Sequence, residues 1–168
     1  MRKSILAAAT TAALFAAATL AAASAARADA DRLDPLGFID GRWHWAGAAD
    51  KPDTSVIRRD LEAHVLVRHD RIRVSPSRVI DAEMTFYAEG ERLRGDYFDS
   101  AGQIVHYRAV AIEPGKLARF LSEPTSSGAV YRLTYEPAGE DLIVRVERAE
   151  AAHPDVFRPV SEHRMQRE

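Results

Sequence analysis

Tyr97, Tyr107, Tyr131 and Tyr135 lie in segments where apolar and polar residues alternate. Each offers an apolar body with one hydroxyl, the usual chemistry of a wall around a small ligand. Met84 and Phe86 belong with them. Ile80, Ala82, Met84 and Phe86 share one face of a strand pattern, and Asp81, Glu83, Thr85 and Tyr87 share the other. Apolar residues turned inward make Met84 and Phe86 part of the interior. The opposite phase lines it with Glu83, Thr85 and Tyr87. The same choice recurs for Leu93, Gly95 and Tyr97 against Arg94, Asp96 and Phe98, and for Val105, Tyr107 and Ala109 against His106, Arg108 and Val110.

The polar phase is the one an enzyme needs. Glu83, His106 and Arg108 turned inward supply a carboxylate, an imidazole and a cation, enough for a small isomerase or hydrolase. Glu83 with Asp96 is a further acid–base pair. Ser100, Ser122, Ser126 and Ser127 fall in loops, and none sits in a Gly-x-Ser-x-Gly elbow. His44 lies beside Trp43 and Trp45. His64 and His69 are five apart and face opposite sides of a strand, and His106, His153 and His163 are scattered. No pair has metal-ligand spacing, so no metal is expected. A single proximal imidazole suffices for haem, and His163 or His106 could provide it; otherwise no cofactor is expected. Arg71 and Arg73 share a face and could meet an anion, unless Asp60, Glu62 and Asp70 neutralise them across strands.

Bulk properties narrow the setting. Arg2 and Lys3 precede an uncharged, alanine-rich stretch from Ile5 to Ala23, and Ala26-Arg27-Ala28 ends it with small residues. That order is the anatomy of a cleaved secretory signal over residues 1–28, leaving one domain over 29–168 in the periplasm or outside the cell. Ala and Thr drive membrane insertion weakly, so no stable anchoring is expected after cleavage. The chain has no cysteine, which removes disulfides, thiolate sites and a lipidated N-terminus. All 25 acidic residues but only 20 of the 23 basic ones follow Ala28, so the segment from Asp29 carries a formal charge of −5. That disfavours nucleic acid as a partner. Arg outnumbers Lys twenty to three. Either a GC-rich genome or bidentate pairing with carboxylates would explain it.

Short β-rich segments with regular punctuation fill the rest. A helical turn over 33–39 leads to strands near 42–46, 54–62, 65–74, 79–88, 93–98, 104–112, 117–121, 130–135, 142–147 and 160–166. Pro76 stops one of them. Asp99-Ser100-Ala101-Gly102 is a hairpin loop. Nine or ten strands with short loops predict an all-β fold, and an antiparallel up-and-down meander barrel, whose closure hides its edges, is expected over an immunoglobulin-like sandwich.

Phe38-Ile39-Asp40-Gly41-Arg42-Trp43 resembles the opening of lipocalin and calycin barrels, where a helical turn runs into Gly-x-Trp at the first strand. Tyr97-Phe98-Asp99-Ser100 before a glycine turn is similar to a strand of small exported bacterial barrels of this type. The resemblance implies that Trp43 closes one end and that an Arg of the last strand crosses its ring. Arg164 is the expected residue, with Arg158 and Arg167 as alternatives. The chain departs from lipocalins in its short length, missing cysteines and missing C-terminal helix. The resemblance carries no ligand. The expectation is therefore an exported barrel that binds a small, partly apolar molecule, lined by Met84, Phe86, Tyr97, Tyr107, Tyr131 and Tyr135. A barrel enzyme, a haem-binding barrel and an interaction domain with a filled core are the alternatives.

Overall fold

A computed structural model describes residues 32–46 and 53–168. The expected signal over residues 1–28 lies outside the described residues. Ten antiparallel strands follow one 3-10 turn (Asp34–Ile39): β1 (Gly41–Trp45), β2 (Thr54–Asp60), β3 (Val65–Ser75), β4 (Arg78–Glu89), β5 (Arg92–Asp99), β6 (Ile104–Glu113), β7 (Leu117–Ser122), β8 (Val130–Ala138), β9 (Asp141–Ala149) and β10 (Arg158–Arg167). Every strand from β2 to β10 pairs with its predecessor, and β1 pairs with β10. The sheet is therefore a closed up-and-down barrel, consistent with a calycin-like fold.

The turns explain the meander. Pro76 cannot donate to a ladder, and β3 ends at Ser75. At the β5–β6 hairpin, Asp99 Oδ1 accepts the N–H groups of Ala101 and Gln103, both at 2.9 Å. Gly102 follows at φ 86°, a conformation that favours glycine. The barrel's outer wall carries several ion-paired arginines. Arg132 forks onto Glu147 of the neighbouring strand at 2.6 and 2.7 Å. Those hydrogen bonds hold the Glu147 carboxyl below its usual range. Arg145 bridges Glu136 and Glu162.

Apolar residues point inward, as alternation requires. Phe86, Phe120 and Tyr135 form the densest layer, with ring centroids 5.0 to 6.5 Å apart and tilted or edge-on contacts. Gly95 faces Phe86 across β4–β5. A Cβ there would lie 2.7 Å from Met84 Cε and 3.3 Å from the Phe86 ring, so the missing side chain makes room for both.

Below this layer the barrel is plugged. Leu33, Leu36 and Ile39 of the N-terminal turn are fully buried. Trp43 Nε1–H donates to the Ile39 carbonyl at 2.9 Å, tying plug to wall. The cation over Trp43 is Arg167, 4.3 Å from the ring centroid, and its Nη1 donates to the Asp40 carbonyl at 2.8 Å. This corrects the expectation for Arg164. Trp43 and Arg167 are direct partners in the β1–β10 ladder. Arg164 stands on the opposite face and pairs with Asp141 outside. The close approach also explains Gly41: at φ 140°, a Cβ would meet Arg167 Nη1 at 2.5 Å.

Two substitutions separate these arginines. Arg167→Ala is expected to cost about 1 kcal/mol through the lost cation–π contact and hydrogen bond. Arg164→Ala removes a solvent-screened pair and should change stability by about 0–1 kcal/mol, toward the lower end. Urea denaturation of both variants reads the difference; a larger loss for Arg164→Ala would contradict the register.

Candidate ligand cavity

Above the Phe86 layer the interior is not filled. A cavity of about 680 Å³ opens toward the end that carries the β5–β6 and β9–β10 loops. Met84, Tyr97, Tyr107 and Tyr131 line it, with Val105, Leu133, Val144 and Val146 supplying apolar wall. Phe86 and Tyr135, the other two expected lining residues, sit lower. Both are fully buried in the aromatic layer that forms the cavity's floor.

The floor holds a charged pair that strand alternation did not reveal. Arg68 and Asp70 project inward from β3, 6% and 8% exposed. Arg68 Nε–H donates to Asp70 Oδ1 at 2.8 Å, and Nη1 donates to the Tyr135 hydroxyl at 2.8 Å. Tyr135 O–H in turn points at Met84 Sδ, 3.8 Å away. Burial opposes the Arg68 charge, but Asp70 and then Tyr135 outweigh it and raise its pKa. The guanidinium therefore stays charged in the interior, held by its counter-ion.

Two of the phenols lining the cavity, those of Tyr97 and Tyr107, are held protonated. Burial pushes the Tyr97 phenol well above its usual range, with Asp99 adding to the effect. Burial does the same for Tyr107, with the neighbouring tyrosines next. Tyr97 O–H donates to Asp99 Oδ2 at 3.2 Å. The wall near the mouth is a stacked pair: Trp45 of β1 and His163 of β10, centroids 3.9 Å apart and tilted by 33°. The Trp45 indole nitrogen is sealed from solvent and has no acceptor among the described residues.

His163 is held below the ordinary imidazole value, first by burial and then by the positive field of Arg68. The folded state thus binds fewer protons than the unfolded chain just below the ordinary imidazole value of 6.5. Stability rises with pH in that window and is lost as pH falls from 6.5 toward the folded value. His163→Phe keeps the stack and removes the titration. The expected result is a smaller drop in denaturation midpoint between pH 7.5 and 5.5 for the variant than for the parent chain. Equal drops would assign the effect elsewhere.

The residues of the catalytic alternative do not reach the cavity. Glu83 stands outside against His69 at 3.3 Å. His106 is outside against Asp96 at 2.8 Å, and Arg108 is exposed. The apolar phase wins on β4 and β6 because Met84, Phe86, Val105 and Tyr107 are the buried set. The same phase leaves His163, and not His106, as the imidazole facing the interior. Arg71 is neutralised across strands, by Asp81 and not by Asp60, Glu62 or Asp70, and Asp70 turns inward to Arg68. Among the described residues there is no group of three metal-ligating side chains, and no helix is long and apolar enough to cross a membrane. Neither a family model nor a curated protein matches the chain.

Proposed function

We propose that this chain is an exported binding protein that holds one small, partly apolar molecule inside the barrel. The observation that carries this reading is the cavity of about 680 Å³ between the aromatic floor and the open end. Its size falls in the range of small-molecule sites, and its lining has the right mixture: apolar walls with a few polar groups that fix orientation. A barrel that served only as a packed scaffold would fill this space with side chains. The leader-like residues 1–28 support export, and the formal charge of −5 beyond them disfavours nucleic acid as the occupant.

Native mass spectrometry of the chain recovered from a bacterial periplasm tests both parts. The expected spectrum shows a protein beginning near Asp29 and carrying a non-covalent adduct of small-molecule mass. Recovery of full-length protein from the cytoplasm would overturn the export reading. An absorption band near that of haem would redirect the reading to a haem barrel with His163 as the axial ligand. A protein that takes up no small molecule from an extract of its host would leave the cavity without the proposed role.

A further inference from the structure

The cavity's charge and hydrogen-bonding balance indicates what kind of head group it accepts. This step rests on the binding reading above and sharpens it. Arg68 has three donor groups. Nε is taken by Asp70 and one Nη1 proton by Tyr135, but Nη2 donates to no acceptor among the described residues. It is not one of the sealed orphan atoms either, which are Asp40 Oδ1, Trp45 Nε1, Ser55 Oγ and Arg148 Nε. Nη2 therefore opens onto the cavity that Arg68 lines.

A free guanidinium at the bottom of a cavity ordinarily invites a carboxylate. Here that choice meets opposition. Asp70 already cancels the Arg68 charge at 2.8 Å, in a place where little water screens it. The cavity lining holds Asp53, Asp70 and Asp99 against Arg68 and Arg73. An anionic head group would bring a further negative charge beside Asp70. A neutral acceptor has no such cost, and it satisfies the spare donor.

We propose that the cavity selects a flat, uncharged molecule bearing a carbonyl-type oxygen at its inner end. The oxygen accepts a hydrogen bond from Arg68 Nη2, and the apolar body lies against the Trp45–His163 stack, with Tyr97 of β5 and Tyr107 of β6 along the opposite wall. The class is aromatic ketones, quinones, lactones and similar neutral acceptors, and fatty acids and other carboxylates are disfavoured.

Three probes of one shape test this by calorimetric titration of the whole protein: 2-acetylnaphthalene, 2-ethylnaphthalene and 2-naphthoate. The ketone should bind at least tenfold tighter than the ethyl compound, and the carboxylate should bind more weakly than the ketone. The double variant Arg68→Met, Asp70→Leu removes the pair without leaving a lone charge. In it the ketone's advantage over 2-ethylnaphthalene should shrink below threefold. A ketone no better than the hydrocarbon overturns the inference and leaves the binding reading standing. So does a carboxylate that binds tightest, or a ketone advantage that survives in the double variant. Failure of all three probes to bind overturns the binding reading itself. The ranking on the unaltered protein stands as a test even if the double variant does not fold.

Discussion

Arg68→Met alone is expected to destabilise the protein by about 3–5 kcal/mol, because it leaves Asp70 charged, buried and without its partner. Asp70 is 8% exposed, so water cannot replace the lost guanidinium. Domains of this size are stable by only about 5–15 kcal/mol, so the single change should bring the chain near unfolding at moderate temperature. Adding Asp70→Leu should return most of the loss, since a buried pair replaced by apolar groups of similar volume is often neutral or better. Guanidinium denaturation of the parent, the single variant and the double variant measures this. A single variant within about 1 kcal/mol of the parent would mean that the floor of the cavity is wetter than the burial of the pair implies.

The second large effect belongs to the plug. Trp43→Ala removes a side chain 2% exposed, the hydrogen bond to Ile39 and the surface on which Arg167 lies. The expected cost is about 3–5 kcal/mol, the usual range for truncating a buried aromatic. Trp45, two residues on along the same strand and on the same face, is the natural comparison. It is only half-buried and borders the cavity. Trp45→Ala should therefore cost less than half as much in thermal unfolding while weakening probe binding. Equal losses of stability would show that both ends of the barrel are sealed alike.

The meander was legible because its punctuation is chemical. Proline, glycine and aspartate mark the ends of strands where a donor is lost or a left-handed turn is required, and Pro76, Gly90, Gly102, Gly115 and Gly139 stand at such places. Met84, Tyr97, Tyr107 and Tyr131 were legible as interior residues because their strands have one clearly apolar face. Arg68 and Asp70 were hidden because β3 mixes its faces. Leu66, Arg68, Asp70 and Ile72 share the inward side, and Val65, Val67, His69 and Arg71 share the outward one, so each side carries two apolar residues among charged ones and neither is plainly the core face. The available signal was Arg-x-Asp, two opposite charges on one strand face, flanked by Leu66 and Ile72.

The resemblance asks for an Arg on the last strand but does not fix which face each of its arginines takes. The β9–β10 ladder shifts register between Pro159 and Ser161, and such a bulge leaves no mark in residue types. Met165 held the answer. It is the one large apolar residue in the second half of β10 and is fully buried, which places Arg167 on its face and Arg164 on the other. The separation of Phe86 and Tyr135 from the cavity wall depends on depth along the barrel axis, which alternation does not encode.

The junction of β1 with β10 ties Asp40 to Arg167 across a sequence separation of 127. Its formation must wait for nearly the whole polypeptide, and the loop entropy of so distant a contact slows folding. Ring closure is then a late event, and before it two raw strand borders are available to any neighbouring chain. Loss of residues 158–167 would make that temporary state permanent, turning a self-contained cylinder into a ribbon that polymerises edge to edge.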